Sequence, residues 1–257
     1  MTEPVKCRIC EGQAAFFDEA MVLRRHRVSY FRCAACGSIQ TEEPWWLDEA
    51  YSEAIARQDV GVCTRNLVNV QVTSAVLGLL FEPGIQCLDF GGGHGMFVRM
   101  MRDRGFAFHW QDRYAHNDYA RGFECDPQGR YGLVTAFEVL EHLPDPHVEL
   151  GEMLRAADNL FCSTVLVPEP APKVGAWWYY AEQAGQHVAL YTTEALRAVA
   201  RRYGKHLLSQ GPFHLFSAEP KSALLFNLAT RPKIATTLNL LRRKRSLTAS
   251  DLQRLLG

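Results

Sequence analysis

The stretch from Cys87 to Val98, CLDFGGGHGMFV, constrains the chain more than any other. An apolar run from Ile85 to Phe90 ends in a carboxylate and four glycines, and an apolar-periodic stretch then continues to Arg104. That order reads as strand, tight turn, helix. Glycine lets such a turn bend sharply and leaves no Cβ between backbone and ligand. The helix that follows points its N-terminal N–H groups and positive dipole end at the same spot. Gly91, Gly93 and Gly95 are spaced GxGxG, with Asp89 two residues ahead. A dinucleotide fingerprint needs glycine at position 96 or 98, where Met96 and Val98 stand, and the Gly-Lys-Ser/Thr ending of a P-loop is absent.

The chain around this unit alternates strands and helices. Apolar residues from Leu67 to Leu80 predict a helix that Pro83-Gly84 stops. A second strand is expected over Phe106 to Gln111, closed by Asp112, which lies 17 residues past Gly95. An acid at that strand end is where a ribose presents its two hydroxyls. Gly132 to Phe137 reads as a further strand, followed by a helix from His147 to Ala157 and a strand from Leu160 to Val167. The alternation calls for an α/β fold with a doubly wound, mostly parallel, Rossmann-like sheet. Ligands in such a sheet sit beyond the carboxyl ends of the strands, where these motifs fall.

The 257 residues, 47% hydrophobic, are enough for one main domain and a small appendage. Net charge is zero, so the chain as a whole lacks the electrostatic footprint of a nucleic-acid partner. No apolar stretch approaches a membrane span, and the N-terminus MTEPVKC lacks a basic-then-apolar signal. The expectation is a cytoplasmic protein whose thiols stay reduced, so its eight cysteines point to metal or core packing rather than disulfides. Cys7 and Cys10, then Cys33 and Cys36, form two CxxC pairs 22 residues apart. Two such turns supply the four thiolates of a closed tetrahedral zinc site, with no open position for hydrolysis. Short strands are expected between the pairs, over Ala14 to Phe17 and Val28 to Phe31. Cys63, Cys87, Cys125 and Cys162 have no partner spacing and read as small hydrophobes. The expected organisation is a zinc ribbon over 1–45, a linker and helices over 46–82, the α/β domain over 83–220 and a helical basic tail over 221–257. In that tail the run Arg242 to Arg245 reads as a solvated face.

Taken together, LDFGGGHG, Asp112 and TAFEVLEHLPDP resemble a class I S-adenosylmethionine-dependent methyltransferase over about residues 80–220. The resemblance implies a cofactor held by Asp89, Phe90, Gly91, Gly92, Gly93, Gly95, Asp112 and Arg113, bordered by Phe137 and Glu138, with Glu141 and His142 shaping the site. Two features depart from the family pattern: Gly132 stands where an acid is usual, and the segment between the second and fourth strands is short. A four-cysteine ribbon ahead of this fold is similar to the sugar C-methyltransferases that act on nucleotide-linked deoxysugars. Their Tyr-His-Glu-His-Val-Ser-Tyr-like stretch corresponds here to Ala184 through Tyr191. His187 matches the histidine proposed as base, while the tyrosine and glutamate positions hold Ala184 and Gln186.

Removing a proton from carbon needs strong help, whereas one placed histidine suffices for a hydroxyl. The resulting expectation is methyl transfer to a hydroxyl of a small sugar, nucleotide-sugar or glycan acceptor. His187 would be the base, with His142 the second catalytic candidate. Trp177, Trp178, Tyr179, Tyr180 and Gln186 are the candidate acceptor contacts. C-methylation, and a non-catalytic module built on the same fold and ribbon, stand as alternatives. A nicotinamide-dependent oxidoreductase is opposed by Met96 and by the lack of a Tyr-x-x-x-Lys pair.

Overall fold

The computed structural model describes residues 3–51, 60–242 and 244–257. The cysteine-bearing segment folds as four antiparallel strands in chain order: β1 (Val5–Lys6), β2 (Gln13–Val22), β3 (His26–Cys33) and β4 (Ile39–Thr41). The hairpin of β2 and β3 extends well beyond the two short strands expected, because alternate residues such as Val22, Val28 and Tyr30 are buried against a later part of the chain. A short helix α1 (Leu47–Ala50) and the long α2 (Val62–Leu80) lead into β5 (Cys87–Phe90) and α3 (Met96–Asp103). There follow β6 (Phe108–Gln111), β7 (Leu133–Phe137), α4 (Pro146–Ala156), β8 (Leu160–Ser163), β9 (Ala189–Leu190) and α5 (Thr193–Arg202). The hairpin β10 (His206–Gln210) and β11 (Phe213–Ser217) precedes three helices, α6 (Ala223–Ala229), α7 (Pro232–Leu241) and α8 (Thr248–Leu256).

The larger sheet runs in the order β10-β11-β8-β7-β5-β6. Its pairs β6–β5, β5–β7 and β7–β8 are parallel, and β11 and β10 are added antiparallel at one edge. Buried apolar strands such as β7 (LVTAF) must be covered on both faces. One face carries Leu150 and Met153 of α4 with Leu196 and Val199 of α5. The other carries Val76 of α2, Phe97 and Met101 of α3 and Phe226 of α6. Beyond β6 a single parallel bridge, Trp110 to Glu124, continues the sheet, which accounts for the short segment ahead of β7.

The ribbon does not stand apart. Its β4 pairs antiparallel with β9, Ile39 opposite Leu190 and Gln40 opposite Ala189, so the α/β domain supplies the ribbon's fifth strand. Cys7, Ile9 and Cys33 share one buried cluster with Leu140, Ala189, Tyr191 and Leu196. The segment expected as a linker is likewise built in: Trp46, only 2% exposed, donates its indole N–H to the Gly185 carbonyl at 2.8 Å. At the other end of the chain, α6 and α7 pack on α2. The nearly buried Asp251 of α8 pairs with Arg102 at 2.6 Å and Arg99 at 2.8 Å. Removing one partner of such a buried pair costs ~3–5 kcal/mol. Within the basic run, Arg242 donates to the Gly78 carbonyl and Lys244 lies 4.2 Å above the Phe106 ring, so both are also tied to the domain. No helix among the described residues is long and apolar enough to cross a membrane.

Candidate active site

The carboxyl ends of β5, β6 and β7 open into a cleft of about 1480 Å³. Its first wall is the turn after β5. Gly91 (φ +70°) and Gly93 (φ +52°) adopt the left-handed region that side chains resist. A Cβ on Gly91 would lie 2.7 Å from Val139, whereas one on Gly93 would meet no protein atom within 4 Å. Gly93 therefore shows its bare backbone to open space, as a cofactor cradle requires. Its N–H donates to Asp112 Oδ2 at 2.8 Å, and its carbonyl accepts the Trp110 indole N–H at 2.7 Å. Asp112 Oδ1 accepts the N–H groups of Tyr114 and Ala115, which fixes the carboxylate at the end of β6. Below the turn, Asp89 is 3% exposed and accepts the Thr135 hydroxyl at 2.6 Å. Burial pushes its pKa up to about 7.

The second wall comes from distant segments. After β7 the chain enters Glu138 at φ +53°, a strained value for a residue with a side chain. Ser163 holds it there: the Glu138 N–H donates to Ser163 Oγ at 3.0 Å, and that hydroxyl donates to Glu138 Oε1 at 2.6 Å. Next comes Glu141, fully buried, with Oε1 accepting the Tyr179 hydroxyl at 2.5 Å. Burial and the neighbouring Glu138 raise the Glu141 pKa to about 8. His142 and His187 meet edge to face with ring centres 4.7 Å apart. The Tyr51 hydroxyl lies 2.9 Å from His142 Nδ1, and His187 Nδ1 lies 2.7 Å from the Tyr179 carbonyl. A carbonyl only accepts, so His187 carries its proton on Nδ1 and its lone pair on Nε2. Burial lowers the pKa of His187 to about 4 and that of His142 well below its ordinary value, so both rings are neutral at pH 7. Tyr51 also stacks on Tyr114 at 4.8 Å, bridging the two walls.

The methyltransferase domain family matches residues 67–210, more than half of the chain and most of the cleft lining, though not the part from Leu47 to Asn66. The chain belongs to that family. This methyltransferase also resembles solved structures in fold. One is an O-methyltransferase family protein from Burkholderia thailandensis, at 17% identity and TM-score 0.48, covering 68% of this chain and 69% of that one. Another is magnesium protoporphyrin IX methyltransferase from Synechocystis PCC 6803 with bound SAH, at 16% identity and TM-score 0.42, covering 66% and 90%. No protein of curated function matches. The protein is thus a methyltransferase that uses S-adenosylmethionine, and the turn after β5 has the open cradle that cofactor needs.

Of the residues expected to hold the cofactor, Asp89, Phe90, Gly91, Gly92, Gly93, Asp112, Arg113, Phe137 and Glu138 all line the cleft. Gly95 does not; at φ +84° it starts α3, with Asn117 and Ala120 packed where a Cβ would go. His142, His187, Trp178, Tyr179 and Gln186 line the opposite wall. Trp177 and Tyr180 turn away, packing on each other, and the Tyr180 hydroxyl donates to the Pro172 carbonyl at 2.6 Å. Their place is the core beneath the ribbon sheet, because β2 and β3 need an apolar partner there. Sequence reasoning misses Tyr51, Trp110, Tyr114 and Ser163. Trp110 carries a weak signal, two residues before the strand-end acid, whereas Tyr51 sits between elements with no motif to mark it.

The methyltransferase also brings its four N-terminal cysteines together, with all four sulfurs within 4.8 Å of one another. Cys7 and Cys36 are 3.8 Å apart and Cys10 and Cys33 3.4 Å, against roughly 3.8 Å for the edge of a tetrahedron with 2.3 Å zinc–sulfur bonds. The knuckles are tied to the α/β domain near the second wall. Arg8 donates to the carbonyl of Pro144, His147 Nε2 meets the Ile9 carbonyl at 2.9 Å, and Thr192 Oγ1 donates to the Cys36 carbonyl while capping α5.

Proposed function

We propose that the enzyme methylates a hydroxyl of a sugar-like acceptor (a free sugar, a nucleotide sugar or a glycan) with His187 as general base. The observation that carries the reading is the 2.7 Å contact of His187 Nδ1 with the Tyr179 carbonyl, which leaves a lone pair on Nε2 in a neutral ring. When bound, S-adenosylmethionine supplies a methyl group already activated by its sulfonium. The glycine turn and Asp112 would hold that cofactor, and the opposite wall would hold the acceptor. As the new O–CH3 bond forms and the S–CH3 bond breaks, the hydroxyl gains oxonium character and becomes strongly acidic. A base of pKa about 4 can then take its proton onto Nε2. Trp178, 74% exposed on the cleft, offers a ring face for the pyranose side of a sugar, and Gln186 lies beside it. The four cysteines would hold one structural zinc, which elemental analysis of protein purified without chelator tests directly.

His187→Ala should leave S-adenosylmethionine affinity nearly unchanged in a calorimetric titration and lower turnover by roughly 10²–10⁴-fold. A variant that turns over at the wild-type rate would remove His187 from the chemistry. Failure of every carbohydrate and nucleotide sugar offered to accept a methyl group would overturn the acceptor class.

A further inference from the structure

We infer that Glu141, His142 and His187 form a second metal site inside the cleft, suited to a divalent ion such as zinc, and that filling it switches methyl transfer off. One ring nitrogen of each histidine and one Glu141 carboxylate oxygen lie within 4.8 Å of one another. For two of the three side chains the other polar atom is already held: His187 Nδ1 donates to the Tyr179 carbonyl at 2.7 Å, and Glu141 Oε1 accepts the Tyr179 hydroxyl at 2.5 Å. Such outer partners orient ligands around a metal and fix the tautomer of each imidazole.

That leaves His187 Nε2 and Glu141 Oε2 as donors, with a ring nitrogen of His142 as the third. Glu141 Oε2 is buried and accepts no hydrogen bond among the described residues, an arrangement that folding alone does not favour. His142 Nδ1 faces the Tyr51 hydroxyl, which an arriving ion would displace. Two imidazoles and one carboxylate suit zinc or cobalt, whereas magnesium and calcium prefer all-oxygen cages.

The site is separate from the four cysteines and leaves coordination positions open to the cleft. The switch rests on the reading of His187 as base: an Nε2 bound to metal has no lone pair for the acceptor's proton. Metal binding itself does not depend on that reading.

The test is a titration of the intact enzyme, its ribbon zinc in place, with Zn²⁺ by calorimetry and with Co²⁺ by visible absorption. One further equivalent is expected. Cobalt should give d–d bands without a thiolate charge-transfer band, and turnover should fall in step and return on mild chelation. Glu141→Gln and His142→Ala should each weaken the further equivalent by at least about tenfold. Tyr51→Phe, which removes the competing donor, should bind at least as tightly as wild type. Absence of the further equivalent, or its full retention in both ligand variants, overturns the metal site and leaves the base assignment standing. A further equivalent that binds without changing turnover, or that raises it, overturns the switch and the base assignment together.

Discussion

The two walls of the cleft are built in opposite ways. The first wall is local: one strand, one turn, one helix and the end of the next strand, from Cys87 to Asp112, supply nearly all of it. The second wall is assembled from segments far apart in the chain: Tyr51 after the ribbon, Glu138 to His142 after β7, and Trp178 to His187 before β9. Each of these is held by contacts to the ribbon or to one another, such as Trp46 on Gly185 and Gln186 on Ala50. The first wall depends on its own backbone and the second on the integrity of the whole amino-terminal region. Damage to the ribbon should therefore appear in chemistry and acceptor binding before it appears in cofactor binding.

The largest break in that contrast should come from Cys36→Ser. With the proposed zinc at the four cysteines, losing one ligand would weaken metal binding and loosen the ribbon first, since metal binding and folding are coupled in such sites. Turnover should collapse while a calorimetric titration still detects S-adenosylmethionine; retained activity in metal-free protein would make the ribbon a mere appendage. Asp112→Ala probes the other wall. It should weaken cofactor binding by about 1–3 kcal/mol, roughly 5–150-fold, and leave the acceptor KM unchanged.

A pH series separates the walls more finely, since each buries one acid. Neutral buried His187 and His214, both lowered to about 4 by burial, and His142 stabilise the fold above the unfolded pKa of ~6.5. That stability is lost as pH falls from ~6.5 towards 4, because the unfolded chain takes up the protons first. Asp89, raised to about 7, and Glu141, raised to about 8, act the other way: their contribution is lost as pH rises towards those values. Unfolding free energy of the unliganded protein should peak near pH 6.5. Above it, stability should decline by ~1.4 kcal/mol per pH unit for each titrating acid. Asp89→Asn should remove the part of the decline that ends near pH 7, and Glu141→Gln the part that ends near pH 8. The smallest effect is expected from Thr192→Val, which deletes both the α5 cap and the bond to the Cys36 carbonyl. Loss of such a cap costs about 1–2 kcal/mol, a fall of a few degrees in Tm, and should speed zinc release to a chelator.

The same contrast explains what was legible in the sequence. The first wall reads directly, because strand periodicity, four glycines and a strand-end acid are all signals of short range. The start and end of β5, α3 and α4 fall within a few residues of the pattern. The paired cysteines are equally plain. By contrast, β9 is two residues long and has no period to detect, and its pairing with β4 depends on no local preference. Trp46, at the start of the stretch expected as linker, carries no local sign that its indole will find the Gly185 carbonyl. Among the four aromatics from Trp177 to Tyr180, alternation alone does not say which ring faces the cleft. Packing against the ribbon sheet decides that.

The pairing of Ile39–Thr41 with Ala189–Leu190 also bears on how the chain is made. Synthesis at ~5–20 residues per second leaves the β4 edge without its neighbour for roughly 8–30 s, until the later strand has emerged. During that interval four thiols and an open strand edge are exposed together, a state prone to oxidation and to pairing with other nascent chains. Early capture of zinc at the knuckles would shelter the thiols but leave the edge bare. In this fold the outer edge of β4 can therefore be paired only after the chain as far as Leu190 has been made.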